Sequence, residues 1–501
     1  MSRRTVCAVA HYCFRRKKVT FMILKGYLFS VLYALLCLLV AFVAYKLGAP
    51  KKITRKIVHI LVGFEWVILY HFMGASIHFL VVCLLFLLIL AVAHRKNLMP
   101  MISSDGDNAP GTVYYALAMS IMATITLFVP KMIVPFGIGA FCTSVGDGFA
   151  GVLGQSVKGK VNPVIYGKKT LVGAFANFAA CFGVSLIFSE CFSLGLGVLH
   201  CIAIAVFALE LELFTGYGLD NIAITLGTSL LAFSFITFDG TANYILPILA
   251  TPLIIAFSTS KKALTKGGII AALILDVLIS VSLGNFGFAT LLAFFAGGVA
   301  IDKFKKKHNN SGQNIEKKGS QRDSVQVLSN GLIPACCAVL YFISNNKIFL
   351  IAFVASLAEA LADTAASGIG SFAKRTFDPF RMKPCQKGIS GGMSLLGTLS
   401  SLVGAALISV LALAFDKITI IDSLVVLAAG FLGGVFDSCL GSLLQVKYKC
   451  PVCQSIVERE EHCGEKTEKH SGIFFVNNDV VNLMGTLFAA LVSSILCYII
   501  Y

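Results

Sequence analysis

Three sets of residues in this chain have the types and spacing that chemistry requires. The first lies between Gly146 and Asn177. Asp147 stands between Gly146 and Gly148 inside an apolar run, with Gly151 and Gly154 after it. Lys158, Lys160, Lys168 and Lys169 follow, and a second apolar run begins at Leu171 with Gly173 near its start. A charge at membrane depth is costly and marks function by default. A carboxylate can hold Mg²⁺, lysines neutralise phosphates, and glycines let backbone N–H groups approach an anion. Such a set suits phosphoryl or nucleotidyl transfer, where positioning and charge neutralisation supply most of the catalysis.

The second set begins at Glu359 and Asp363. They are four positions apart, so a helix places them on one face, as a candidate Mg²⁺ pair. A basic loop follows with Lys374, Arg375, Arg381, Lys383 and Lys387, then Gly391, Gly392 and Ser394. The third set is Cys450-Pro-Val-Cys453, His462-Cys463 and His470. Cys450, Cys453 and Cys463 with His470, or with His462, have the spacing of a structural Zn²⁺ site. Other polar groups stand near apolar runs. Arg55, Lys56, His59 and Gly63 share a helix face, as phosphate ligands or an interfacial anchor. Glu210, Glu212, Asp220 and Asn221 lie in a stretch that reads as a hairpin loop or as further site residues. Asp437 interrupts an apolar run, and Asn478 and Asp479 precede the last one.

The elements that must position these groups are membrane spans. The chain has 501 residues, of which 57% are hydrophobic and 13% charged, with a mean hydropathy of +0.85. Apolar runs of roughly 17–25 residues recur from Phe21 onward, which predicts an all-α, polytopic integral membrane protein with roughly 14–16 transmembrane helices. The net charge of +16 sits in loops. Excess Lys and Arg predicts that those loops, and the sites beside them, face the cytoplasm. With no soluble basic domain, nucleic acid is excluded as a partner and the lipid bilayer is the partner implied. The sixteen cysteines are mostly in apolar segments and read as small hydrophobes, not as a disulfide framework.

The chain also repeats itself. Asp147-x-x-Ala150-Gly151-x-Leu153-Gly154 matches Asp363-x-x-Ala366-Ser367-x-Ile369-Gly370, and each is followed by a basic loop. Lys169-x-x-x-Gly173 pairs with Lys387-x-x-x-Gly391, at 22 and 24 positions from the respective Asp. Asp220…Gly227-Thr228 echoes Asp479…Gly485-Thr486. This predicts two related halves, each with a carboxylate-plus-lysine site. The boundaries expected are a basic tail over 1–20, one membrane domain over 21–257 and a second over 258–501 with a zinc loop at 447–472.

Several of these elements resemble known families. In the first half, Arg55-Lys56-x-x-His59, Gly111-Thr112 with Tyr114, Gly146-Asp147-Gly148, Lys168-Lys169-Thr170-Leu171-x-Gly173 and Asp220-Asn221 resemble the phytol kinase and dolichol kinase family of membrane enzymes. The resemblance implies CTP-dependent phosphorylation of an isoprenoid alcohol, with Asp147 and Lys169 at the nucleotide and metal site. Some relatives phosphorylate diacylglycerol, and the phosphatidate cytidylyltransferase name is often borrowed. In the second half, Ala358-Glu359-Ala360-Leu361-Ala362-Asp363, Gly391-Gly392-x-Ser394, Asp437-Ser438-x-Leu440-Gly441 and Asn478-Asp479-x-Val481-Asn482 are similar to the membrane family that includes phytyl-phosphate kinase. The usual Gly-Thr before Gly-Gly-x-Ser is Gly388-Ile389 here. Together the two resemblances imply successive kinases: alcohol to monophosphate, then monophosphate to diphosphate, with CTP or ATP as donor. A lipid cytidylyltransferase or diacylglycerol kinase, and an ion-coupled transporter with rocking repeats, are the competing readings.

Overall fold

The structure is a computed structural model of the chain. It describes residues 3–96, 110–156, 161–163, 168–215, 218–238, 241–261, 263–308, 321–385 and 389–501. Among the described residues, thirteen helices are long and apolar enough to cross a membrane. Their outer faces carry exposed large apolar side chains, such as Leu171 (68%), Phe175 (72%) and Leu395 (77%). Lipid is the solvent that tolerates them, and helices satisfy their own backbone hydrogen bonds inside it. The sequence count of roughly 14–16 is higher for a physical reason. The 40-residue helix Lys266–Lys305 would extend about 60 Å, twice one crossing. Gly284 breaks it with φ 60° and ψ −146°. Val198–Phe214 and Leu246–Ser260 are apolar but shorter than the thirteen.

The chain forms two units, Met1–Thr241 and Ala242–Tyr501. The boundary expected at the polar stretch Ser258–Gly268 assigns residues 245–257 to the first half. In the structure the helix Ile245–Ser260 packs on Lys266–His308 in the second unit.

In the first unit, the span Pro130–Gly154 carries Asp147 and packs on Asp220–Phe238 and Leu171–Phe192. Within it, Cys142–Asp147 form a π-helical turn. Such turns widen a helix by one residue and recur at functional sites. A two-stranded antiparallel hairpin follows, Val161–Pro163 with Lys168–Thr170, and pairs Asn162 with Lys169. Thr170 then caps Leu171–Phe192, its Oγ1 accepting from Gly173 N at 3.1 Å.

In the second unit, the Ala-rich helix Lys347–Gly370 is central. It packs on Leu395–Ala414, Ile420–Leu443 and Asn478–Ile500. Small residues let these backbones approach. A Cβ on Gly404 would lie 2.8 Å from Leu361 O, and one on Gly430 2.8 Å from Ala358 Cβ. A short hairpin, Phe377–Asp378 with Lys383–Pro384, separates the central helix from Leu395–Ala414.

Candidate active site

The helix Lys51–Gly63 delivers two side chains to Asp147. Lys56 Nζ donates to Asp147 Oδ1 at 2.5 Å and to its backbone carbonyl at 3.2 Å. His59 Nε2 lies 3.3 Å from Asp147 Oδ2, in ion-pair range but outside hydrogen-bond geometry. The shared face expected of Lys56, His59 and Gly63 is therefore the face that meets Asp147. Glycines make the approach feasible: a Cβ on Gly63 would lie 2.0 Å from Ser144 Oγ, and one on Gly148 2.3 Å from Ile60. Arg55, half-buried on the same helix, is not among the groups bonded to Asp147.

Lys169 is held on the hairpin beside two more acids. Its Nζ pairs with Glu212 Oε1 and stands 3.8 Å from Asp220 Oδ2. Burial pulls the Lys169 ammonium down, but the charges of Glu212, Asp220 and Asp147 outweigh it and hold the group above the usual lysine range. Lys169 therefore stays charged. Asp147, Glu212 and Asp220 each offer an oxygen within 4.8 Å of the others. Asn221 fixes the start of the Asp220 helix, its Nδ2 donating to Gly111 O at 2.7 Å. The hairpin-loop reading of 208–227 is corrected, because the helix Val198–Phe214 runs through Glu210 and Glu212 and buries both. Glu212 belongs to the cluster although the loop reading left its role open.

The glycines expected to cradle phosphate also have packing reasons. A Cβ on Gly146 would meet Cys181 Sγ at 2.6 Å, and one on Gly151 the Lys56 stem at 2.4 Å. Lys158, Lys160, Lys387 and the Lys168 side chain lie outside the described residues.

The second unit holds a different cluster. Glu359 and Asp363 share one face of the central helix, as their spacing requires, and Asp437 is buried on the neighbouring helix Ile420–Leu443. Gly433 and Gly485 clear the space: a Cβ on Gly485 would lie 2.5 Å from Glu359 Oε1 and 3.5 Å from Asp437 Oδ2. Those two oxygens are buried and have no hydrogen-bond partner. Among the described residues, no Lys or Arg pairs with these three acids. Gly391 (φ 93°) packs on Ser442, Gly392 packs on Cys385, and Ser394 caps Leu395–Ala414 by accepting from Gly397 N at 3.1 Å. Asn478 is exposed at the start of the last helix, where Asp479 is buried.

The two units share one local arrangement. In the first, a Cβ on Gly154 would lie 3.4 Å from Gly173 Cα, and one on Gly173 2.9 Å from Ala150 O. In the second, one on Gly370 would lie 3.0 Å from Gly397 Cα, and one on Gly397 3.2 Å from Ala366 O. Asp147, Ala150, Gly154, Thr170 and Gly173 thus match Asp363, Ala366, Gly370, Ser394 and Gly397. This corrects the pairing of Lys169 and Gly173 with Lys387 and Gly391. The connection from Gly154 to Thr170 is 16 positions and that from Gly370 to Ser394 is 24, by subtraction. The counterpart of Lys169 is Met393. Overpacking here is expected to be costly. Gly173→Val and Gly397→Val should each lower stability by about 1–3 kcal/mol, read as a drop in Tm. Gly183→Ala, with nothing within 4 Å of its added Cβ, should leave Tm unchanged or slightly raised.

The third set assembles with one substitution. Cys450, Cys453, His462 and Cys463 place their ligand atoms within 4.8 Å of one another. His470 lies outside that group, exposed on the strand Glu468–Ser471. The hairpin Glu461–His462 with Glu465–Lys466 turns His462, not His470, toward the cysteines.

Comparison with known proteins agrees with the membrane architecture. A family profile described as "Integral membrane protein DUF92" matches residues 249–490. An uncharacterised membrane protein of Synechocystis sp. is 30% identical over 200 residues, 39% of this chain and 78% of that protein. The chain belongs to the DUF92 family of integral membrane proteins. It is also similar to Protein VTE6, chloroplastic, of Arabidopsis thaliana, with 25% identity over 257 residues, 50% of this chain and 68% of that protein. A protein named phytol kinase from Synechocystis sp. is 28% identical over 196 residues, 37% of this chain and 80% of that protein. No solved structure matches.

Proposed function

We propose that this DUF92 protein phosphorylates a long-chain isoprenoid alcohol in the membrane, first to the monophosphate and then to the diphosphate. The observation that carries the reading is the buried constellation of Lys56, Asp147, Lys169, Glu212 and Asp220. The similarity to a protein named phytol kinase supports the same class of reaction.

Two lysines against three carboxylates leave one negative charge in a buried site, which favours a cation. The three carboxylate oxygens are the donor set that Mg²⁺ prefers. When bound, Mg²⁺ would neutralise charge on the triphosphate of CTP or ATP. Lys56 and Lys169 are the donors that hold the transferring phosphoryl group and the leaving diphosphate. The alcohol oxygen bonds to the γ-phosphorus as the bond to the β–γ bridging oxygen breaks, and the nucleoside diphosphate leaves. His59 Nε2, without a hydrogen-bond partner beside Asp147 Oδ2, takes the hydroxyl proton. Asp147 then stabilises the imidazolium.

The second unit repeats the scaffold, with Met393 at the position that corresponds to Lys169. Its acids Glu359, Asp363 and Asp437 leave two buried oxygens unpartnered, which suits Mg²⁺ and a phosphorylated acceptor. The excess of Lys and Arg in the loop beside each site supports a cytoplasmic location for that site.

The test supplies membranes containing the protein with γ-labelled or α-labelled CTP or ATP, and with phytol, polyprenols or diacylglycerol. The expected result is γ-label in the prenols. The α-label in lipid would show nucleotidyl transfer, and γ-label only in diacylglycerol would move the acceptor. No labelled lipid, with Asp147→Asn altering solute flux instead, would replace the kinase reading with a carrier.

A further inference from the structure

The proposed reaction leaves one element of the second unit unused. In the first unit, the helices Val198–Phe214 and Asp220–Phe238 are joined by a short connection. In the second unit, the corresponding helices Ile420–Leu443 and Asn478–Ile500 enclose an added β ribbon. Its strand Lys447–Lys449 pairs with Ile456–Val457 on one side and Glu468–Ser471 on the other. The ribbon's own core is Val446, Tyr448 and Val457. Three side chains bury too little apolar surface to fix a segment of this size, and small units of this kind need a staple.

Two tight turns bring together side chains that could supply such a staple. At the first turn Gln454 N donates to Cys450 O and Cys450 N to Ser455 O, both at 3.0 Å. Gln454 there has φ 60°. At the second turn Cys463 (φ 55°) and Gly464 (φ 82°) reverse the hairpin. The turns converge so that Cys453 Sγ and Cys463 Sγ lie 3.4 and 3.2 Å from His462 Nδ1. Cys450 is buried beneath them. Tetrahedral Zn²⁺ with Zn–S of about 2.3 Å and Zn–N of about 2.0 Å spaces its ligands by roughly 3.5–3.8 Å, close to these separations.

We propose that the ribbon binds one structural Zn²⁺ through Cys450, Cys453, Cys463 and His462 Nδ1, and that the metal-fixed ribbon clamps the turn at Ser390 and Gly391. The clamp has two arms. Glu458 Oε1 accepts from Ser390 N at 2.8 Å, and Lys447 Nζ donates to Ser390 O at 2.9 Å. Ser390 and Gly391 in turn pack on Gly441 and Ser442, one turn along the helix from Asp437. The metal therefore supports the frame of the second acidic cluster without entering it. The inference stands apart from the kinase reading, because metal content and ribbon order are measured without an activity assay.

The experiment is elemental analysis of the full-length protein purified without chelator, followed by amide hydrogen exchange before and after zinc extraction. The expected content is about one zinc per chain. It should be lost in Cys453→Ser and His462→Gln and retained in His470→Gln. Co²⁺ exchanged into the wild type should show thiolate charge-transfer and tetrahedral d–d bands, a readout that needs no variant to fold. Zinc extraction should raise exchange at Ser390–Gly392 and in the ribbon. Glu458→Gln should keep its zinc while raising exchange at Ser390. Zinc absent from the wild type, or loss in His470→Gln with retention in His462→Gln, would overturn the site. Unchanged exchange at Ser390–Gly392 after extraction would overturn the clamp.

Discussion

Asp147→Asn is expected to lower phosphorylation of the alcohol by at least about 100-fold, the scale seen when one preorganised electrostatic group is removed from a site. The change keeps the shape of the side chain and removes its charge. Lys56, 2.5 Å away, then loses its anion. One of three oxygens able to hold Mg²⁺ loses most of its affinity, and the imidazolium of His59 loses its partner. An unpaired buried ammonium is strongly destabilising, so Tm should also fall. Lys56→Met combined with Asp147→Leu separates the two effects. An apolar replacement of a buried ion pair is often neutral for stability, so this double variant should recover Tm and remain inactive. Recovery of activity with Tm would show that the pair is only structural. Phosphorylation of supplied monophosphate should be unaffected in both variants.

Asp363→Asn is expected to do the reverse, reducing phosphorylation of the monophosphate by about 100-fold and leaving the alcohol reaction intact. Its effect on stability should also differ in sign. Asp363, Glu359 and Asp437 have no Lys or Arg partner among the described residues. Removing one carboxylate relieves like-charge repulsion in a buried cluster, so Tm should hold or rise, as expected where function keeps a site strained. In membranes given alcohol and nucleotide, this variant should accumulate monophosphate. A falling Tm together with loss of both activities would show that Asp363 only holds the fold.

Much of the scaffold is legible in the amino-acid order. The four-residue spacing of Glu359 and Asp363 fixes a shared helix face, and the three-residue spacing of Lys56 and His59 does the same for the partners of Asp147. What escaped has physical causes. Glu212 sits two residues from Glu210, a spacing that reads as a polar break until a buried helix is seen to run through both. Glycine is silent about its reason, since an anion cradle and a close helix contact both require the missing Cβ. Gly146, Gly151 and Gly154 each make such a close contact, which the sequence alone does not reveal. The register of the repeat depends on the length of a connection that differs by eight positions between the units, so counting from Asp to the next lysine misaligned Lys387 with Lys169. His462 and His470 both fit the spacing of a zinc ligand, and only the hairpin through Cys463 decides between them.

The claim at the centre is that two separate sites act in sequence on one lipid. Purified wild type, Asp147→Asn and Asp363→Asn, each reconstituted in vesicles, should be given γ-labelled nucleotide with the alcohol alone and, separately, with the monophosphate alone. The account predicts a crossed pattern: Asp147→Asn labels only supplied monophosphate, and Asp363→Asn labels only alcohol. Equal loss of both reactions in either variant would contradict it and leave one site in this chain, not two.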